Sequence, residues 1–295
     1  MSLVVASLGF GLITASILAI AAVGFTLQFG VTNILNIAYG DLMTTGAFVA
    51  YVFNATFGIN IWVSLLAGAA SVAVVSVLLN RYLYMPFARR GTSLFGMIVV
   101  TIAVSLIVQD ALQAIWGPSY FSYRMSAGPT LALGSLSFTA SQIAVIAIAV
   151  VAMLGVHTML SRTRLGKAMR AVAADASLAR SCGIPTGKVI DMAWLVSGAL
   201  CGLAGVTLAM DVTSFSFGTG NGLLIILIAA AVLGGIGQPY GAMLGALVIG
   251  MVTELAAIVQ PSYKDAVAFV ILAIVLLVRP RGILAEVASE KEVAT

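Results

Sequence analysis

Charge is almost absent over long stretches of this chain, and that limits its fold more than anything else in the sequence. Leu3–Phe29, Leu42–Phe57, Ile59–Leu79, Ser93–Trp116, Ser141–Leu160, Val189–Met210, Leu223–Leu233, Ala242–Val259 and Ala266–Val278 are apolar runs separated by short polar stretches. Charged residues make up 8% of the chain and hydrophobic ones 61%, whereas soluble domains carry about 25% charged residues. Such a chain cannot cover itself with a water-compatible surface, so lipid must be its solvent. At about 20 residues per crossing, the 295 residues suffice for eight or nine transmembrane helices. The expected fold is an all-α, polytopic helical bundle, a single transmembrane domain over residues 1–295. The N-terminus lacks the basic n-region of a signal peptide and reads as a span.

The bases set the orientation. Arg81, Arg89, Arg90, Arg279 and Arg281 lie between or after spans, and the longest basic stretch is 161–188. By the positive-inside bias these segments are cytoplasmic, which with nine crossings puts the N-terminus outside and the C-terminus inside; the count drops to eight if the first interruption, Asn33–Asp41, is re-entrant. The net charge of +4 is accounted for by these loops and gives no nucleic-acid footprint. Residues 166–179 are rich in helix formers, and Gly183-Ile184-Pro185 provides a stop. A short helix lying across the cytoplasmic face is expected there, with Arg164, Lys167 and Arg170 along one side and Ala168, Met169, Ala171 and Val172 as an apolar docking face. Anionic lipid headgroups are an alternative partner for the three bases.

Two stretches break the apolar pattern. Asn33–Asp41 is too polar for an ordinary span and too apolar for a soluble loop. Irregular backbone at membrane depth survives only where protein or a water-filled cavity satisfies it, which makes Gln28, Thr32, Asn33, Asn36, Tyr39 and Asp41 candidates for a translocation path. The second break, Gly234-Gly235-Ile236-Gly237, follows only eleven apolar residues, about half a bilayer. Tyr39-Gly40-Asp41 is echoed by Tyr240-Gly241-Ala242, the pattern of a duplicated transporter whose path lies between its repeats. Gly198-x-x-x-Gly202 with Gly205 is a close-packing motif in lipid. Asp41 and Asp110 are read as interfacial, and Glu254 as the deepest acid, paired or wet, bordering the path.

Catalytic chemistry has no support in these residues. Residues 183–189 fail as a phosphate-binding loop because Val189 stands where a Ser or Thr would hold magnesium. Cys182 and Cys201 have no disulfide or metal spacing, and the single histidine, His157, reads as interfacial. No Lys, Arg or His falls in a span core as read here, which argues against a proton-driven carrier and for an energy source outside the chain.

Asn36-Ile37-Ala38-Tyr39-Gly40-Asp41 with Gly46-Ala47, Ala179-Arg180-Ser181-Cys182-Gly183-Ile184, Val232-Leu233-Gly234-Gly235-Ile236-Gly237 with Gly241-Ala242, and Arg279-Pro280-Arg281-Gly282-Ile283-Leu284 occur in this order. Over nearly the whole chain they resemble a permease of the bacterial branched-chain amino acid (Liv-type) ABC importers, in particular the shorter, LivH-like subunit. The resemblance implies a multi-pass inner-membrane subunit translocating branched-chain or other neutral amino acids. It also implies a second, LivM-like permease subunit, two cytosolic ATPase subunits that use ATP and magnesium, and a periplasmic solute-binding protein. No cofactor is expected on this chain. Residues 161–188 would be the coupling segment, with Ala179-x-x-x-Gly183 matching the tail of the ATPase-docking signature, whose opening Glu is missing here. Related permeases for urea, short amides or aromatic acids are alternatives. A self-contained channel or secondary carrier for a small polar solute is the alternative from a different class.

Overall fold

Helix α1 (Ser2–Thr32) forms the spine around which the others pack. The computed structural model describes residues 2–125, 130–133, 136–258, 260, 263–278 and 282–283. After α1 come α2 (Tyr39–Tyr51), α3 (Ile61–Leu79), α4 (Met85–Arg89) and α5 (Leu94–Trp116). A small hairpin, β1 (Thr130–Leu133) with β2 (Leu136–Thr139), precedes α6 (Ala140–Arg162). Then follow α7 (Arg164–Ala174), α8 (Ala176–Ser181), α9 (Thr186–Asp211), α10 (Thr219–Gly234), α11 (Pro239–Ala257) and α12 (Tyr263–Val278). Among the described residues six helices are long and apolar enough to cross a membrane, α3 together with its continuation counting as one, and α10 and part of α12 are shorter apolar helices. With α2, the apolar segments expected from the sequence all appear as helices and in the expected order. The chain is thus an all-α, multi-pass membrane protein apart from the hairpin.

Glycine lets the inner helices approach backbone to backbone, the usual means of association where lipid removes the hydrophobic drive. On α9, a Cβ at Gly198 or Gly202 would press into the backbone of α3 at Ala73 or Ala69, and one at Gly205 would overlap the Met43 carbonyl of α2. Gly250 of α11 lies against Ala15 of α1, and Gly245 against the Ala230 carbonyl of α10. Helices α1 and α9 are accordingly the most enclosed, with 72% and 61% of their apolar windows buried, against 22% for α5 and for α6. The outer helices leave Leu106, Ile107, Val151 and Leu154 exposed, faces that only lipid or another subunit can cover.

Several boundaries differ from the sequence reading. Asn80–Thr92 is not simply a loop, because α3 runs through a π turn (Asn80–Tyr84) into α4. Two of its polar residues point inward, Asn80, whose Nδ2 donates to Asp191 (3.0 Å), and Tyr84, which packs on Trp194, while Arg81, Arg89 and Arg90 are exposed. Helix α10 has 16 residues and rises about 24 Å. It begins before its apolar run because Thr44 Oγ1 accepts from the Gly220 amide (2.9 Å), one of the donors a helix start leaves unpaired. The motif residues 279–281 and 284 lie outside the described residues.

Replacing Gly205 with Ala should lower the thermal midpoint in detergent by an amount matching roughly 1–3 kcal/mol of overpacking. Gly155→Ala, whose added Cβ meets nothing within 4 Å, should be neutral or raise it. Equal midpoints would show that the α2–α9 contact is not tight.

Candidate functional site

Helix α1 stops because Asn33 adopts φ 55°, a left-handed conformation that Asn tolerates better than most residues. Its amide still bonds back to the Phe29 carbonyl (2.7 Å), and the chain then reverses into the bundle. Residues 33–36 are irregular and 37–38 form a turn, with backbone groups held by neighbouring helices. Thr101 Oγ1 of α5 donates to the Leu35 carbonyl (3.0 Å), and Tyr84 Oη donates to Asn36 Oδ1 (3.4 Å). Helix α2 starts beside the middle of α9, where Tyr39 Oη donates to the Ser197 carbonyl (3.3 Å) and Cys201 Sγ donates to the Tyr39 carbonyl (3.3 Å). Ser197 Oγ in turn donates to Gln28 Oε1 (3.2 Å).

The result is a buried polar seam between α1, α2, α5 and α9. Gln28, Asn36, Tyr39 and Asp41 all lie in it, each no more than 1% exposed. Asp41 is therefore not the interfacial residue expected from the sequence. It sits in the first turn of α2, where the positive end of the helix dipole favours a carboxylate, and accepts from Ser105 Oγ. Side-chain atoms Thr26 Oγ1, Gln28 Nε2, Asn36 Nδ2, Asp41 Oδ1 and Trp194 Nε1 are buried without a hydrogen-bond partner among the described residues. Ser105, Tyr84 and Thr101 carry no signal in the sequence, and Ser197 only a faint one. Each lies in a run read as an ordinary span or loop, and only the small-residue pattern around Gly198 hinted that Ser197 faces inward.

The other path candidates are placed elsewhere. Thr32 Oγ1 bonds its own helix at the Gln28 carbonyl (2.8 Å), and Asn33 is exposed. Gly234, Gly235 and Gly237 make the α10–α11 turn, where Gly235 (φ 107°) and Gly237 (φ 90°) take conformations closed to other residues. Gly237 packs against Gly30, at the end of the bundle that carries the basic segment. Glu254 is at the opposite end and is not the deepest acid. It accepts from Thr14 Oγ1 (2.9 Å) and pairs with Lys264 Nζ (2.7 Å), a base at the start of α12. The sequence echo also joins unlike places: Tyr39 is buried in the seam, whereas Tyr240 is exposed and bonds His157 (3.0 Å).

The basic segment folds as two helices rather than one. Asp175 takes an extended conformation (φ −155°, ψ 107°) and caps α8, accepting from the amides of Ser177 (2.8 Å) and Leu178 (3.0 Å). Those bonds, the Leu178 amide foremost and then the Ser177 hydroxyl and amide, hold its carboxyl below the usual range. Helix α8 closes with Gly183 at φ 84°, its amide on the Arg180 carbonyl and that of Ile184 on Ala179 (both 3.0 Å), the paired bonds of a Schellman cap. Met169 and Val172 of α7 are buried against the bundle core. The apolar face expected to dock a partner is thus already used. Ala179 is buried as well, at 4% exposed. Outward point Arg164, Lys167, Arg170 and Leu178.

These features define a multi-pass permease fold with a polar interior and a basic, two-helix platform at one end. Residues 7–276 match the family described as branched-chain amino acid transport system / permease component. The chain is 32% identical to the high-affinity branched-chain amino acid transport system permease protein BraD of Pseudomonas aeruginosa, over 95% of both chains. It is 30% identical to the corresponding permease protein LivH of Escherichia coli K12, again over 95% of both. A chain of PsaBC from Streptococcus pneumoniae, solved in complex with Fab, shares the fold with a TM-score of 0.50, at 14% identity over 92% of this chain and 91% of that one. The protein belongs to the branched-chain amino acid transport permease family and is a multi-pass inner-membrane transport subunit.

Two outcomes follow from this geometry. Ser105→Ala strips Asp41 of its hydrogen bond and should cost about 1–3 kcal/mol of stability, read as a lower thermal midpoint, while Ser71→Ala on the half-buried face of α3 should not. Because the Asp175 carboxyl is held low in the folded state, its cap is intact above its ordinary value of about 4 and is lost as pH falls through the lowered one. Hydrogen exchange should show Ser177 and Leu178 losing protection in that acid window in wild type, and unprotected throughout in Asp175→Ala.

Proposed function

We propose that the chain is a membrane subunit of an ATP-driven importer for branched-chain or other neutral amino acids. A periplasmic solute-binding protein delivers the substrate, a second LivM-like permease subunit completes the conduit, and two cytosolic ATPase subunits bind the ATP and magnesium. No cofactor is bound by this chain. The observation that carries the reading is the seam: its buried polar groups at Gln28, Asn36, Tyr39, Ser197 and Ser105 are uncharged, with Asp41 as its acid. Hydrogen-bonding groups without excess charge suit a zwitterion or neutral amide better than an anion. The names of BraD and LivH, both branched-chain amino acid permease proteins, favour the zwitterion.

The platform supplies the coupling. Arg164, Lys167 and Arg170 face outward with Leu178, and no described carboxylate pairs with the three bases, so acids on an ATPase can meet them. Gly183 ends the platform and Ala179 seats it. Movement of α7 bears on α1 and on the α10–α11 turn through a cavity of about 270 Å³ lined by Leu27, Gly30, Met169, Arg170 and Tyr240. The break after Thr32 then lets the end of α1 shift without dragging α2. The seam from Gln28 to Asp41 is the inner part of the path, Thr32, Asn33 and the Gly234–Gly237 turn border its cytoplasmic exit, and Glu254 stands at the periplasmic end.

In proteoliposomes holding the whole complex, leucine uptake should require ATP and both partner ATPases, with urea and aromatic acids poor competitors. Uptake by this subunit alone would favour a self-contained carrier. Arg170→Glu and Gly183→Trp should each abolish stimulation of ATP hydrolysis by loaded binding protein while membrane insertion is unchanged. Full stimulation in both would remove the platform from the coupling.

A further inference from the structure

A cavity of about 170 Å³, largely aliphatic but with charged groups in its lining, lies at the end of the bundle away from the basic platform, between α1, α9, α10, α11 and α12. One wall carries charge. Glu254 Oε1 accepts from both Thr14 and Lys264, with its side chain only 15% exposed. Asp211 faces the same space and interacts electrostatically with Glu254 and Lys264, yet no hydrogen bond or ion pair closes its carboxylate among the described residues. It ends α9, a helix with no base in its last turn, and the negative end of a helix dipole is an unfavourable place for an acid. A second acid nearby makes matters worse. The same cavity is lined by the aliphatic side chains of Ile17, Leu208 and Ile226.

We propose that this cavity is a binding site for an aliphatic α-amino acid on the periplasmic side of the seam, an inference that rests on the import reading above. The substrate ammonium bonds Asp211, its carboxylate bonds Lys264, and its side chain lies on Ile17, Leu208 and Ile226. Two acids face one base when the cavity is empty of substrate, and a bound zwitterion gives every charge an opposite neighbour. Lys264 disfavours a metal cation in the same place. The volume falls below the roughly 300–1,000 Å³ of drug-sized ligand pockets, which suits a small solute. Two acids and a base suit this outer cavity because a site that receives cargo needs affinity, whereas the seam, which carries Asp41 among otherwise uncharged groups, must release it.

The test uses the complete complex in proteoliposomes, with leucine uptake and diazirine-bearing photo-leucine as readouts. Wild type should be photolabelled on the α9 and α10 segments that line the cavity, and excess leucine should suppress the label. The isosteric Asp211→Asn should raise the half-saturating concentration for uptake at least tenfold. Leu223→Trp, which fills the cavity without touching its charges, should remove the label, and leucinamide, which has no carboxylate, should fail to compete. If wild type imports leucine and both variants keep its half-saturation and labelling, the cavity is not the site, and the import reading stands. If wild type imports no aliphatic amino acid at all, the import reading itself fails and this inference falls with it.

Discussion

A peptide group inside a bilayer must find its hydrogen bond within the protein, and the arrangement of this molecule follows from a buried break where a helix cannot provide it. Between Thr32 and Tyr39 the backbone leaves helical geometry. Every group left unpaired there would cost several kcal/mol in hydrocarbon. Thr101 of α5 and Tyr84 of the α3 continuation reach into the break. Thr101 bonds the backbone itself, whereas Tyr84, turned inward by the π stretch after Leu79, bonds the Asn36 side chain that the break has buried. The need for such partners also accounts for the seam, because side chains recruited to satisfy a broken backbone bring polar groups into the interior.

The glycines make this break affordable. A seam of polar groups weakens apolar packing locally, so the surrounding helices must hold together by dispersion across short distances. Gly198, Gly202 and Gly205 bring α9 against both α3 and α2, and Gly250 and Gly245 bring α11 against α1 and α10. These contacts flank the seam. The inner helices form a rigid frame, while α5 and α6, less than a quarter buried, face lipid or another subunit.

Much of this was legible before the structure. Apolar run length set the helices and their order, the bases set the platform, and Asn33 to Asp41 stood out because Asn, Gly and Asp do not belong in an ordinary span. The Gly183 stop was legible as well, since a left-handed cap needs glycine. The interior partners of the seam could not be read. Ser105 and Ser197 look like any small residue in a span, and hydropathy does not report which face of a helix points inward. The break in the platform at Asp175 was also missed, because Ala-rich flanks gave continuous helix propensity and one capping carboxylate outweighed it. Glu254 was misjudged in depth for a related reason: its base, Lys264, lies ten residues on, just ahead of the run taken as the last span.

The placement of charge along the bundle suits a conduit for a zwitterion. A cluster of fixed charges midway would hold the opposite charge of the cargo, while a wholly apolar passage would impose the desolvation cost of both its ends; the seam carries one acid, Asp41, among uncharged groups. Amides escape this choice because each Gln or Asn side chain both donates and accepts. Gln28 and Asn36 use their oxygens on Ser197 and Tyr84 and keep their NH₂ groups unpaired, so each holds a donor ready for a carboxylate. Asp41 keeps one oxygen unpaired as well, an acceptor ready for an ammonium. Under the import proposed above, donors and an acceptor held in one seam by hydrogen bonds between helices would hand a dipolar solute along with no single deep minimum, and a push at the platform end would reach those bonds because α7 packs on the bundle core.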